Sequence, residues 1–287
     1  MTVVVALPLF HKVIVVADSR VSWKGNDEVD DILQKIYQVG DRIVVGFSGL
    51  LDGAYPVFKA IKENGETYTG TNLYRDMEGW IRREYRKLKP EYQKGLSFLL
   101  VQVKRQTLDI KKFPPDWLRD KIIMLEPDRS KPGELRYRDG IPVIGSGRQE
   151  LNAIKDIFQE YYGFVDVPFQ YKNPHIHAWA IVDEFIRHFM EKQPDKVGGL
   201  FQCATLNAEG IQWLSYGSIG DVSLQFINGR YFQVNKVTGE KINLMTILEW
   251  GKIIPRPSPG DFGIFEDPVY RRIFGKTTKS SGDKSRK

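Results

Sequence analysis

Two runs of β-branched residues near the start constrain this chain more than anything else in it: Val3-Val4-Val5 and Val13-Ile14-Val15-Val16. Branched side chains are stiff at χ1 and pack well on a pleated surface, so both runs read as strands. Neither alternates apolar with polar, so both faces of each strand need cover. Pro8 and the LFHK segment mark a turn between them. Residues 2–9 and 13–17 are therefore expected to form an antiparallel hairpin, which returns Asp18 toward Thr2.

Downstream, residues 25–31 read as an acidic loop. Residues 32–39 alternate as a strand with Lys35 on one face. Gly40-Asp41 is a turn and residues 42–47 another buried strand. The period then changes. Leu51, Ala54, Tyr55, Phe58 and Ile61 make one stripe of a helix over 50–63, with Pro56 tolerated in its early turns. Leu73, Met77, Trp80, Ile81, Tyr85 and Leu88 make the stripe of a second helix over 71–88.

Strands follow at 96–102, 121–125 and 134–138. Pro142 to Ile144 leads into Gly145-Ser146-Gly147, and helices are expected at 149–162 and 175–192, the latter with Asn173 as cap and Pro174 at its first position. Strands at 200–207, 211–216, 222–227 and 231–234 end the pattern, the last two hinged at Asn228-Gly229.

Strands, two helices, strands, two helices, strands predict an α+β fold: a four-layer αββα sandwich with two sheets face to face and helices outside. The expected organisation is one domain over 1–217, an extension over 218–275 and a tail over 276–287. The tail carries four Lys and one Arg, lacks large apolar side chains and is expected to be disordered. The extension's aromatics (Trp250, Phe262, Phe265, Tyr270, Phe274) are expected to pack on a neighbouring subunit.

Composition narrows the class. Of the 287 residues, 41% are hydrophobic and 27% charged, which suits a globular protein, and no apolar run reaches membrane-spanning length. Cys203 is the one cysteine, which rules out an internal disulfide and fits a reducing compartment. The opening lacks a basic stretch before its apolar run, so a cytoplasmic location is expected. The net charge of +6 is mild, and the basic run at 81–89 reads as a solvated helix face rather than a nucleic-acid stripe. His175 and His177 stand two apart on a helix, so their rings diverge. Neither a metal nor a cofactor is expected, and without a P-loop any ATP dependence has to come from a separate ATPase.

The chemistry sits in the first 49 residues. A threonine hydroxyl needs a base, and the amine of an N-terminal threonine supplies one within the same residue. Thr2 becomes such a residue once Met1 is removed. Asp18 ends an apolar run and Lys35 lies on a half-apolar strand; pairing relieves the cost of burying either alone. The lysine also favours a neutral amine and an ionised hydroxyl nearby. Gly49, at a strand-to-helix turn, offers a backbone N–H to a developing oxyanion.

These residues carry a resemblance. TVVVA, VIVVADSR, QKIY and VVGFSG resemble the opening of the proteasome β-subunit family, including its bacterial two-component protease relatives. Asp18 follows Thr2 by the family's interval, and Lys35 comes one residue later than usual, which fits one extra residue in the loop over 25–31. The Gly145-Ser146-Gly147 turn and the Gly198-Gly199 pair resemble later family motifs, so the likeness spans roughly residues 2–215.

The resemblance implies amide-bond hydrolysis through a threonyl ester. Thr2 would be nucleophile and base, Asp18 and Lys35 would tune it, Gly49 would stabilise the oxyanion, and Ser146 would help handle the amine proton. Arg20, Val21 and Phe47 would line a narrow apolar pocket for the side chain before the cut. Peptide or unfolded-protein substrates, a homo-oligomeric ring and a separate ATPase unfoldase are the implied partners.

There are departures. Pro194 and Val197 stand where the family carries an aspartate and a serine, with Asp195 one place off. Two other readings stay open: a catalytically silent subunit that keeps the fold, and an N-terminal-nucleophile amidase acting on a small molecule.

Overall fold

A computed structural model describes residues 2–9, 12–22, 29–31, 33–102, 122–139, 141–146, 184, 186–188, 197, 200–207, 209–214, 218–219, 222–227 and 230–249. They belong to one compact unit, Met1–Gly251; Lys252–Lys287 make a second, which lies outside the described residues.

The chain opens with β1 (Val3–Leu9) and β2 (Lys12–Asp18), antiparallel with Val4 opposite Ala17 and Val5 opposite Val16. A short ribbon, β3 (Arg20–Ser22) with β4 (Val29–Asp31), follows, so part of the segment read as an acidic loop is strand. Then come β5 (Ile36–Val39), β6 (Ile43–Ser48), α1 (Leu51–Glu66), α2 (Leu73–Arg86) and one helical turn, α3 (Pro90–Gln93). Strands β7 (Ser97–Gln102), β8 (Ile122–Pro127), β9 (Leu135–Arg138), β10 (Val143–Gly145), β11 (Phe201–Asn207) and β12 (Gly210–Leu214) complete the two main sheets. After them run β13 (Ser218–Ile219), β14 (Val222–Ile227), β15 (Arg230–Asn235) and β16 (Lys241–Asn243).

The fold is α+β with antiparallel sheets. Sheet one has the order β10-β1-β2-β11-β12, and sheet two β5-β6-β7-β8-β9. They face each other over a shared core: Val4, Ala6, Val13, Val15, Ala204 and Leu206 of sheet one meet Ile36, Val44, Leu99, Val101 and Met124 of sheet two. Gly46 lets the sheets close, because a Cβ there would lie 2.6 Å from Cγ1 of Val4. On its other face, sheet two carries the helices. Phe58 of α1 packs on Phe47 (ring centroids 5.2 Å apart) and Tyr37 (4.7 Å), and the Tyr74 hydroxyl of α2 donates to the Leu100 carbonyl at 3.2 Å. Helix α2 starts with the first residue of the stripe, Leu73, two residues after the start of the predicted range 71–88, because the Asn72 side chain accepts from the Arg75 N–H and caps the helix there.

Of the helix predicted over 175–192, residues 184 and 186–188 are described and helical; the helix predicted over 149–162, Gly147 and the Gly198-Gly199 pair lie outside the described residues. So do Trp250, Phe262, Phe265, Tyr270 and Phe274 of the extension and the tail over 276–287. The described residues between 218 and 243, in contrast, form a four-stranded antiparallel sheet, β13-β14-β15-β16, within the unit. Its Leu224, Tyr231 and Leu244 pack with Leu200 and Trp213, and the Tyr231 hydroxyl donates to the Cys203 carbonyl (2.7 Å) and accepts from the Cys203 N–H (2.9 Å).

Alternation over 32–39 predicts one strand, but the ladder begins only at Ile36. Leu33 makes a single parallel bridge to Met245, and the Gln34 N–H donates to the Met245 carbonyl at 2.9 Å. The Lys35 N–H donates to Oε1 of Gln202 at 2.9 Å. These backbone donors are spoken for by partners far along the chain, so the segment leaves the sheet before β5. Among the described residues, no helix is long and apolar enough to cross a membrane.

Candidate active site

Thr2 lies against the end of β1, where three elements meet. The β10 strand pairs with β1 through Val3 opposite Gly145. Just beyond it, Ser146 clasps Thr2: its Oγ accepts from the Thr2 N–H at 3.0 Å and donates to the Thr2 carbonyl at 3.1 Å, while its own N–H donates to that carbonyl at 2.7 Å. This close approach requires glycine at 145, which sits at φ +88°, and any Cβ there would overlap the Thr2 carbonyl oxygen. Gly145→Ala is therefore expected to lower stability by about 2–4 kcal/mol through backbone strain and overpacking, read as a lower urea midpoint at unchanged m.

Beneath Thr2 lies a buried ion pair. Asp18 ends β2, and its Oδ1 accepts from the Val3 N–H at 2.9 Å and from Nζ of Lys35 at 2.8 Å. Both side chains are inaccessible to solvent, at 0% and 1% exposure. Lys35 Nζ also donates to the Arg20 carbonyl. Burial pushes the Asp18 carboxyl above its ordinary range, against the pull of the Lys35 ammonium and the Val3 N–H. Oδ2 of Asp18 is buried with no hydrogen-bond partner among the described residues.

The Lys35 backbone is fixed by Gln202 of β11. Its Oε1 accepts from the Lys35 N–H, and its amide nitrogen donates to the Leu33 carbonyl at 2.7 Å. Ser19 adds a second tie, with its Oγ accepting from the Leu200 N–H at 3.0 Å and its carbonyl from the Leu33 N–H at 3.1 Å. Sequence reasoning passed over Gln202. The available signal was the one that picked out Asp18: a polar side chain inside an apolar strand, here Phe201-Gln202-Cys203-Ala204.

Ser48, Gly49 and Phe47 come from the end of β6. Ser48 Cβ lies 3.2 Å from where a Gly145 Cβ would stand, so this strand end abuts the Thr2–Gly145 contact. Ser48 Oγ is buried and without a partner among the described residues. Gly49, at φ +119°, passes too close to Gly95 and Leu96 for any side chain, and leads into α1. Phe47 points the other way, into the Tyr37–Phe58 cluster beneath α1. Val21 is buried and Arg20 half-buried in β3, directly after the Asp18-Ser19 end of β2. The structure thus joins Thr2 to Ser146 and Asp18 to Lys35 by hydrogen bonds, with Asp18 tied to the Val3 N–H next to Thr2, and sets Gly49 at the adjoining strand end, while Phe47 is part of the helix-side core.

A shallow surface hollow lined by Tyr68, Arg75, Asp76, Gly79, Trp80 and Arg83 shares no residue with this set. Among the described residues, no group of three or more His, Cys, Asp or Glu side chains is placed to hold a metal ion. No protein-family model matches the chain, and no curated protein matches it.

Proposed function

We propose that this chain is an N-terminal-nucleophile hydrolase that cuts peptide amides with Thr2 after removal of Met1. The observation that carries the reading is the convergence of the Ser146 clasp on Thr2 and of the buried Lys35–Asp18 pair on the adjoining Val3 N–H. An ordinary strand residue has no need of a desolvated ion pair beneath it, since such a pair gives little net stability and persists where it does other work.

The proposed cycle uses this chain's own groups. With Met1 gone, the Thr2 nitrogen is a free amine beside Ser146 Oγ. It takes the proton from Thr2 Oγ1 as that oxygen bonds to the substrate carbonyl carbon. The Lys35 ammonium favours the neutral amine and the developing alkoxide. The tetrahedral oxyanion is met by the Gly49 N–H. The amine then hands its proton to the departing nitrogen, the C–N bond breaks, and an ester to Thr2 remains. Water, deprotonated by the same amine, cleaves that ester and restores Thr2.

The reading takes with it the four-layer αββα sandwich, in which residues 149–162 and 175–192 cover the outer face of sheet one. Support comes from burial: Val3, Val5, Val16 and Cys203 lie on the face away from the shared core, and all are fully buried. Peptide segments as substrate, a ring of copies as the working assembly and a separate ATPase belong to the same proposal.

Val197, fully buried and apolar at a place where the resembling family carries a serine, favours the alternative of a silent subunit. One experiment separates the two. Purified protein is weighed intact, then incubated with a peptide epoxyketone, which needs both a hydroxyl and a free amine on one residue. A chain lacking Met1 with the adduct on Thr2 supports the hydrolase. A retained Met1, or a processed chain that stays unlabelled, sinks it.

A further inference from the structure

The segment that carries Lys35 is held from two sides, and only one of them belongs to the two facing sheets. Gln202 holds it from β11. The other side is supplied by residues 244–247, more than two hundred positions downstream. The Met245 carbonyl accepts from the Gln34 N–H at 2.9 Å, and Met245 bridges Leu33. The Tyr37 hydroxyl donates to the Gln34 carbonyl and accepts from the Ile247 N–H at 2.9 Å.

The far strap is itself anchored. Leu244 and Ile247 are fully buried, and the Leu244 N–H donates to the Tyr231 carbonyl at 2.8 Å. Thr246 and Glu249 form a capping box: the Thr246 Oγ1 accepts from the Glu249 N–H at 3.2 Å, and a Glu249 carboxylate oxygen accepts from the Thr246 N–H at 2.9 Å. This fixes the helical turn at 247–249, whose first N–H points at Tyr37. Lys35 thus sits at the middle of a five-residue stretch, 33–37, in which Leu33, Gln34 and Tyr37 each bond to the strap or to a residue that does.

We propose that residues 244–247, acting through Tyr37, are a positioning element that sets where the Lys35 ammonium stands relative to Asp18 and Thr2. The inference rests on the hydrolase reading for its catalytic meaning. Tyr37 and the strap touch no reacting atom; they act through Lys35. The role needs a rigid, uncharged bridge, and Tyr37 qualifies: burial, first, and then Glu249 nearby push its hydroxyl well above the ordinary phenol range, against the Ile247 N–H. The Lys35–Asp18 pair is hydrogen-bonded to the Val3 N–H, and Asp18 feels the charge of the chain terminus, so a displaced Lys35 changes the field at the Thr2 amine.

The test compares Tyr37→Phe with Tyr231→Phe in the full chain. Both remove one buried hydroxyl from the contact of the last sheet with the rest of the unit, but only the first touches the Lys35 segment. For Tyr37→Phe, kcat on a peptide amide is expected to fall roughly 10- to 100-fold with KM nearly unchanged. The acid limb of its rate profile is expected to move to higher pH, because a more distant ammonium lets the Thr2 amine hold its proton longer. Tyr231→Phe is expected to lower thermal stability and leave that limb in place. Ile247→Pro, at a first helical position where the proline backbone is tolerated, removes the N–H that Tyr37 accepts, at some further cost in stability from the lost buried isoleucine side chain, and is expected to move the limb as Tyr37→Phe does.

A folded, active Tyr37→Phe with an unmoved acid limb overturns the proposal, as does an equal shift in Tyr231→Phe. Hydrogen exchange gives a readout free of activity: amides of residues 33–37 are expected to exchange at least about tenfold faster in Tyr37→Phe, and unchanged protection overturns the strap even if the wild type proves inert. An inert wild type with the exchange effect intact overturns the hydrolase reading alone.

Discussion

Thr2→Ala is expected to abolish peptide hydrolysis, by roughly 10³- to 10⁶-fold, while the protein stays folded. The nucleophile and the base are one residue in the proposed cycle, so its hydroxyl has no substitute. The structural consequence is small by comparison. Thr2 is clasped through its backbone: the Ser146 bonds are to the Thr2 nitrogen and carbonyl, and the Asp18 bond is to the Val3 nitrogen. Alanine keeps all of them, so the loss of stability is expected to stay near 1 kcal/mol. Thr2→Ser keeps hydroxyl and amine and is expected to retain activity. Equal turnover by wild type and Thr2→Ala, measured on a short apolar peptide amide with Met1 removal verified in both, removes Thr2 from the mechanism.

Lys35→Met is expected to damage both activity and fold. Breaking a buried pair leaves an uncompensated charge, at about 3–5 kcal/mol. The sign of the pH dependence is opposite to that of ordinary salt-bridged acids. Asp18 already titrates above its usual range because it is buried; without the ammonium only the Val3 N–H and the charge of the chain terminus oppose that burial, and the carboxyl rises further. A buried acid with a raised folded value favours folding when protonated. Lys35→Met should thus be most stable below the ordinary aspartate value, near 4, and lose stability as pH climbs through the raised one. Adding Asp18→Asn removes the orphaned charge and is expected to restore much of the stability and flatten the pH curve, with no return of activity. Urea midpoints across pH decide this; a double variant no more stable than Lys35→Met at neutral pH contradicts it.

Local chemistry was readable and long-range closure was not. The hairpin β1–β2 follows from branched apolar residues on both faces, and the antiparallel pairing of β14 with β15 from the turn-forming sequence between them. Asp18 and Lys35 were matched by the cost of burying either alone, and they lie 2.8 Å apart. In contrast, alternation across 32–39 mimics a strand, yet Lys35 leaves the ladder because Gln202 and Met245 capture the local N–H groups. Such partners stand 167 positions from Lys35 for Gln202 and 210 from Tyr37 for Ile247. Nothing in the periodicity of either segment announces the other. Phe47 shows a second limit: its apolar character fits both a substrate pocket and a helix-covered core, and only the packing with Phe58 reveals which face it is on.

Cys203 has a practical consequence. It is the sole thiol in the chain, fully buried, with its backbone N–H and carbonyl both held by the Tyr231 hydroxyl. Burial also drives the thiol far above its ordinary range, so in the closed protein it is inert toward disulfide reagents. Every labelling event must wait for the packing around β11 to open. The rate of thiol modification is therefore a built-in clock for how often that packing opens, and one free of any foreign probe.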